Sequence, residues 1–330
     1  MLLLNKNDME KIFSMREAIE ACKLAFQTYS TGGSVVPLRT NIEVSKYKGA
    51  TLFMPGYVET MDFAGIKIVS VFPENAALGK PTVPATMVLV DSTTGEVCCI
   101  LDGTYLTKLR TGAAAGAATD IMACPNAEIG ALIGIGGQAL SQLDAMLTTR
   151  ELKEVRIYNR NLNKLETFIN EAKAVLKYSN TVLIPVTSSD EAIFNADIIT
   201  TVTTSIKPVL NGNKVKKGAH VNAVGSFMPH MQELDDNVIK RADKIFVDSL
   251  DAVLAESGDF IIPLKNGSIN KEKINGELGQ VIAGTIKGRE FKEEITLFKT
   301  VGIAVQDVVT AFKIYQKANI NNIGYKYNFN

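Results

Sequence analysis

The sequence is poor in residues that hold metals, and it carries no excess of charge of either sign. Its 330 residues include two histidines, His220 and His230, and four cysteines, Cys22, Cys98, Cys99 and Cys124. None of these falls at the spacing of a zinc ligand set, so no metal is expected. The cysteines read as reduced, buried thiols, which points to the cytoplasm. Lys plus Arg equal Asp plus Glu at 35 each, so nothing favours bulk attraction to nucleic acid or anionic lipid. No apolar run approaches the length of a membrane span. The apolar start within residues 1–8 is too short for a secretory h-region. Internal repeats, low-complexity tracts and long linkers are also missing. What remains, 46% hydrophobic and 21% charged, is an ordinary globular composition, long enough for two domains with sizeable cores.

The most informative stretch runs from Ile129 to Ala139. Ile129 to Ile133 is a short apolar run of the kind a buried parallel strand shows. It leads into Gly134-x-Gly136-x-x-Ala139. A helical pattern follows, with Leu140, Leu143, Met146 and Leu147 on one face, and Val155-Arg-Ile-Tyr158 reads as a second buried strand. Strand, glycine turn, helix, strand is the layout that seats a dinucleotide pyrophosphate on a helix N-terminus. Gly134 would allow the tight turn, Gly136 the approach of backbone to phosphate, and Ala139 close helix packing. A glycine-rich joint between a strand and a helix is the plainer reading, but motif and flanks agree here. The second strand ends in Tyr158-Asn159-Arg160-Asn161, with Lys164 one turn on. A cofactor with a free ribose 2′-hydroxyl usually meets an acid at this point; here there are cations and no carboxylate. Arg binds a 2′-phosphate with two parallel hydrogen bonds, so NADP(H) is favoured over NAD(H), unless Arg160 is simply a solvated loop residue.

Before this region, Ser14-Met-Arg-Glu17 is a capping box, and Ile19, Cys22, Phe26 and Tyr29 recur at helical spacing behind it. Strands are expected over 51–54, 63–71, 85–91 and 97–101, with a hairpin loop at Asp91-Ser-Thr-Thr-Gly95. An alanine-rich helix is expected over 105–124. After the second strand the pattern alternates: helix 163–176, strand 181–185, helix 190–195, strand 197–202 ending in Thr203-Thr204-Ser205, and strands 220–224 and 244–248. That alternation is expected of a doubly wound parallel sheet. A last helix over 302–318 carries Ile303, Val305, Val308, Val309 and Phe312 and is expected to return to the first part. The fold class is therefore α/β: a Rossmann-type domain over 126–301 and an α+β substrate-binding and dimerisation domain made of 1–125 plus 302–330.

Three cations have small or apolar neighbours: Arg39, Lys67 and Arg110. Lys67 lies in Ile66-Lys-Ile-Val69, in a strand that looks buried, where a lone ammonium is unfavourable unless it is paired or lines a cavity. Taken singly, each reads as a surface charge or a structural ion pair, and for Arg39 that is the simpler account. Together they fit a small carboxylate site, with two Arg forks to fix the anion and a Lys to handle a proton. The alternative for Lys67 is a fixed acidic partner and a role only in folding.

At this point the residues resemble the ornithine cyclodeaminase and mu-crystallin family. The resemblance rests on Val36-Pro-Leu-Arg39, Phe53-Met54-Pro55-Gly56, Gly65-Ile-Lys67, Leu106-Thr-Lys-Leu-Arg110-Thr111, Gly134-Ile-Gly-Gly137-Gln138-Ala139, Val221-Asn-Ala-Val-Gly225-Ser226 and Phe298-Lys-Thr300-Val-Gly302-Ile-Ala-Val-Gln-Asp307. These pieces occur in order over almost the whole chain. The resemblance implies a homodimer, a nicotinamide cofactor and an amino or imino acid substrate, with Arg39, Lys67 and Arg110 on the substrate carboxylate and Lys67 linked to proton handling. Two departures count against ornithine. Leu52 stands where ornithine cyclodeaminases carry a Glu, and Phe227 where they carry an Asp, so a distal ammonium would lack partners.

The expected site has Lys67 as catalytic, Arg39, Arg110, Met54 and Phe227 as substrate-binding, and a cofactor set of Thr111, Gly134, Gly136, Gly137, Gln138, Ala139, Asn159, Arg160, Asn161, Lys164, Thr203, Thr204, Gly225, Ser226, Thr300 and Gly302. The expected activity is NAD(P)H-dependent reduction of small 2-imino acids of the ketimine or pyrroline-2-carboxylate type, or its reverse. Ornithine cyclodeaminase, an alanine-type dehydrogenase and a non-catalytic NADP-dependent binding protein are the alternatives.

Overall fold

A computed structural model of the chain describes residues 1–176, 178 and 180–328. It begins with β1 (Leu2–Leu4), α1 (Lys6–Ile12), α2 (Met15–Ser30), β2 (Ser34–Val35), β3 (Thr40–Val44), β4 (Gly49–Val58), β5 (Phe63–Val71), β6 (Ala85–Asp91) and β7 (Val97–Asp102). The long helix α3 (Gly103–Met122) follows, then β8 (Ile129–Ile133), α4 (Ala139–Thr149), β9 (Glu154–Tyr158), α5 (Leu165–Val175), β10 (Val182–Pro185), α6 (Ser189–Ile193), β11 (Ile198–Thr201) and β12 (His220–Ala223). The remainder is α7 (Asp236–Arg241), β13 (Lys244–Val247), α8 (Leu250–Glu256), α9 (Gly258–Lys265), β14 (Gly276–Glu277), α10 (Leu278–Ile282), β15 (Thr296–Lys299), α11 (Ala304–Asn321) and β16 (Tyr325–Lys326).

Two compact units result, residues 1–110 with 303–330, and residues 111–302. The division falls inside α3, between Arg110 and Thr111, whereas the sequence reading placed it at 125. The later part of α3 is tied into the second unit by specific bonds. Gln142 donates to the Thr111 carbonyl at 3.0 Å, Asn222 to the Thr119 hydroxyl at 2.9 Å, and the Arg150 guanidinium to the carbonyls of Thr119, Asp120 and Ala123.

In the first unit one mixed sheet runs β16-β1-β7-β6-β5-β4-β2, with β3 also on β4. Its pairs are antiparallel except β1 with β7. The loop between β6 and β7 closes through the Gly95 amide on the Asp91 carbonyl at 2.7 Å. Helix α2 starts on the capping box read from the sequence: Ser14 Oγ accepts from the Glu17 amide, and Glu17 Oε2 from the Ser14 amide. Helix α11 packs on β4 and β5 and on α2, with Val305, Val308, Val309 and Phe312 buried. One face of β5 is thereby covered. The other is not: Ile66 is half-buried and Ile68 is 37% exposed. The strand that looked wholly buried is an antiparallel strand with one packed face.

The second unit holds an eight-stranded sheet, β10-β9-β8-β11-β12-β15-β13-β14, with every pair parallel. The order reverses between β8 and β11, as a doubly wound sheet requires. Around β8 and α4 the core is Leu132, Leu143, Met146, Val155, Ile157 and Ile198. Strand β15 sits between β12 and β13, and the periodicity does not show it: its last residue is Lys299, fully buried. Among the described residues no helix is long and apolar enough to cross a membrane.

Candidate active site

The register of the first sheet sets Met54 opposite Lys67, Lys67 opposite Met87 and Met87 opposite Leu101. All four are buried, so Lys67, 1% exposed, is an ammonium in an otherwise apolar row. Its partner comes from the last helix. Lys67 Nζ donates to Asp307 Oδ2 at 2.7 Å, and Arg110 Nε donates to Asp307 Oδ1 at 3.0 Å. Asp307 is fully buried, so one carboxylate divides its two oxygens between two cations. Ala304 and Val308 of α11 lie against Gly56 of β4, which brings the helix close enough for Asp307 to reach the lysine.

Burial pushes the Lys67 ammonium down, the Arg110 charge adds to this, and Asp307 opposes it; the result is about 7. Arg39 also lowers Lys67 through its charge. It is half-buried and directly precedes β3, whose Thr40 faces Phe53. Behind Arg110, Cys22 donates to the Arg110 carbonyl at 3.4 Å, and burial holds its thiol up at about 12, an inert structural group. The cluster holds two cations and one acid in a buried place, with Arg39 near enough to add a third charge. An anion of small size is the group that such an excess fits.

Arg39, Met54, Lys67 and Arg110, expected together from the sequence, are thus brought together within the first unit. Asp307 was missed as a site residue. It lies 240 positions from Lys67, and no spacing rule spans that distance. The available signal was an acid inside the apolar face of the last helix, between Val305 and Val308, to which the cost argument applied to Lys67 applies equally.

The rest of the expected set lies in the second unit. Gly134 has φ +100°, and a Cβ there would come within 2.8 Å of Thr203 Cγ2 and 2.9 Å of the Val202 carbonyl. Gly136 and Gly137 are exposed, with nothing within 4 Å of where a Cβ would stand, and Ala139 is buried at the start of α4. Among the described residues Gln138 Oε1 has no hydrogen-bond partner, and it is buried. An open backbone cradle at the N-terminus of an 11-residue helix fits a pyrophosphate. At the end of β9, Asn159 donates to the Asn161 carbonyl at 2.9 Å, and Arg160, Asn161 and Lys164 are exposed. Thr203 and Phe227 are half-buried and Thr204 is exposed.

Buried acids brace the loops after the strands. Glu233 Oε1 accepts from the Thr203 amide at 2.6 Å, and its Oε2 from the Gly225 amide at 2.6 Å and the Thr201 hydroxyl at 2.9 Å. Asp248 Oδ2 accepts from the Thr300 hydroxyl at 2.6 Å and the amides of Val301 and Gly302 at 2.9 and 2.7 Å. Burial pushes both groups above the ordinary carboxylate range, helped at Glu233 by the Asp259 charge; the Lys299 charge and the Thr203 bond oppose this at Glu233, and the Thr300, Gly302 and Val301 donors at Asp248. The hydroxyls of Thr300 and Ser226 are used internally, the latter on the Met231 carbonyl at 2.8 Å. What Thr300 and Ser226 offer a ligand is therefore backbone. Glu233, Asp248, Asp259 and Lys299 were not singled out from the sequence, although Lys299 and Asp248 each end an apolar run. Among the described residues no group of His, Cys, Asp and Glu is placed to hold a metal.

Comparison with known proteins places the chain in a family. The family model "Ornithine cyclodeaminase/mu-crystallin family" matches residues 1–322. The chain is 39% identical over 334 residues to a Delta(1)-pyrroline-2-carboxylate reductase of Bacillus cereus, covering 100% of both. It is similar to the structure of Thermococcus litoralis Delta(1)-pyrroline-2-carboxylate reductase in complex with NADH and L-proline, with 40% identity, a TM-score of 0.94 and coverage of 99% of this chain and 100% of that one. An archaeal alanine dehydrogenase dimer with bound NAD shares 35% identity at a TM-score of 0.91, covering 100% of this chain and 99% of that one. By its sequence over nearly its whole length and by its fold, the chain belongs to the ornithine cyclodeaminase/mu-crystallin family.

Proposed function

We propose that the protein is an NAD(P)H-dependent reductase of small 2-imino acids, of the cyclic pyrroline-2-carboxylate or ketimine type, working also in the reverse direction. The observation that carries this is the buried Lys67–Asp307–Arg110 cluster, on a chain whose second unit presents an open glycine cradle at a helix N-terminus. Arg110, whose Nε alone is engaged by Asp307, and Arg39 hold the substrate carboxylate. Asp307 fixes the orientation of Lys67 and Arg110. Lys67, held near pKa 7, keeps the imine nitrogen protonated, which makes the adjacent carbon electrophilic. When bound, the nicotinamide supplies the hydride that reduces that carbon. The relative solved with NADH and L-proline supports this substrate class. Leu52 and Phe227, where a distal ammonium would need acids, argue against ornithine.

Gly134, Gly136, Gly137 and Gln138 would hold the pyrophosphate. The loop Asn159-Arg160-Asn161 with Lys164, free of carboxylates, favours NADP(H) over NAD(H). We assign the protein to the cytoplasm, in keeping with four free thiols, and to a homodimer formed through the first unit's sheet. The deciding experiment is a panel following NADPH and NADH oxidation with pyrroline-2-carboxylate, piperideine-2-carboxylate, and pyruvate with ammonia or methylamine, run beside ornithine-dependent ammonia release. Turnover of the cyclic imines is expected. Ornithine turnover in their place would reject the assignment.

A further inference from the structure

Glu233 has no part in the chemistry above, yet it is wholly buried and holds two loops at once. Strands β11 and β12 pair from Ile198 with His220 to Thr201 with Ala223, and the Val224 amide still reaches the Thr201 carbonyl at 3.0 Å. Beyond this the ladder stops, and the Glu233 carboxylate bridges the strands, one oxygen on the Thr203 amide and the other on the Gly225 amide, both at 2.6 Å. The two backbones are in contact there: a Cβ on Gly225 would collide with the Thr203 carbonyl oxygen. The glutamate is itself anchored. Its own amide and that of Leu234 donate to Asp259 Oδ1 at 2.6 and 3.0 Å, and Asp259 Oδ2 pairs with Lys299 Nζ, at the end of β15, at 3.0 Å. One buried chain of groups thus joins the ends of three neighbouring strands, β11, β12 and β15.

We propose that Glu233 is a positioning residue for the bound nucleotide, setting the backbone spacing of Thr203 and Gly225 on which the nicotinamide end rests. The proposal depends on the dinucleotide reading given above. In an open parallel sheet, ligands lie beyond the carboxyl ends of the strands, which is where this bridge stands. For stability alone, apolar residues serve as well as buried ions or better. A carboxylate does what they cannot: it accepts an N–H from each of two loops. A carboxamide offers one acceptor oxygen and turns an NH2 towards the second donor.

The test compares Glu233→Gln, Glu233→Asp and Thr201→Val by fluorescence titration with NADPH and with NADH, by melting temperature, and by kcat and KM for the imine. Glu233→Gln is expected to weaken binding of the nucleotide by about tenfold or more and to lower kcat, with KM for the imine little changed. Thr201→Val, which removes only the third donor, is expected to bind within about twofold of wild type. If Glu233→Gln fails to fold, Glu233→Asp decides, since it keeps the charge but is too short to serve both strands. Wild-type nucleotide affinity in the folded Glu233 variant, or an equal loss in Thr201→Val, would overturn the proposal. A wild type that binds neither nucleotide defeats the dinucleotide reading instead.

Discussion

At Lys67 a methionine would fill nearly the same volume, in a row already flanked by Met54 and Met87. Lys67→Met therefore removes charge with little change of packing, and it leaves Asp307 its bond to Arg110. Turnover is expected to fall by about 10²- to 10⁴-fold with nucleotide affinity kept. A sharply lower melting temperature with normal turnover of the folded fraction would show that Lys67 only holds the fold. Asp307→Ala is the harsher change: two buried cations lose the acid they share, at a cost of about 3–5 kcal/mol, read as a lower denaturant midpoint at unchanged slope. The lowered pKa of Lys67, about 7, adds two pH signatures. Imine reduction that needs the ammonium declines as pH rises through about 7, and Lys67→Met lacks that limb. In the unfolded chain the lysine keeps its proton up to the ordinary value of 10.5. Between about 7 and 10.5 the unfolded state thus binds more protons, so this group makes stability rise with pH there. The contribution is read as the pH dependence of the stability difference between wild type and Lys67→Met, and a flat difference would exclude the shift. Lys67 was legible in the sequence because a charge in an apolar run is conspicuous. Its partner was not, because an acid on a distant helix declares no address.

Among the elements, the glycine turn was legible in full, because each of its requirements is local. Gly134 takes a positive φ and Ala139 opens α4 where the motif places them. Gly134→Ala combines backbone strain of about 1–3 kcal/mol with a Cβ driven into Val202 and Thr203. The expected outcome is a lower melting temperature and loss of nucleotide binding in titration; wild-type affinity would mean that the turn is not the phosphate site. At the next strand end the prediction is a ratio. Arg160→Ala should weaken NADPH far more than NADH, because only the 2′-phosphate needs that guanidinium, and equal losses would remove Arg160 as its ligand. Strand β15 shows why other elements stayed hidden. Its four residues, Thr296 to Lys299, are all buried, but two are polar, and their partners, Arg289 for Thr296 and Asp259 for Lys299, are set only by tertiary packing. Strands β1 and β16 are similar: three and two residues long, they carry too little pattern to be read without the neighbour each pairs with.

On the scale of the whole molecule, the outer face of the first unit's sheet asks for a partner. The register lines up Pro55, Ile66, Val88 and Ile100 in one row, and Phe53 beside Ile68 in the next. These residues are half-buried or exposed, Ile68 at 37% and Ile42 of β3 at 51%. Rows of aliphatic side chains on an unpacked sheet face are unusual on a monomer and common where subunits meet. A second copy is the occupant proposed, since an isologous contact lets one apolar patch cover itself. Light scattering at working concentration is expected to give twice the chain mass of 35.7 kDa. Ile68→Glu, which places a charge opposite Phe53 on that face and leaves the buried Lys67 row untouched, is expected to shift the protein to monomer with nucleotide binding retained. A wild-type monomer, or an Ile68→Glu protein that stays dimeric as tightly as wild type, would move the interface elsewhere and leave this face unexplained.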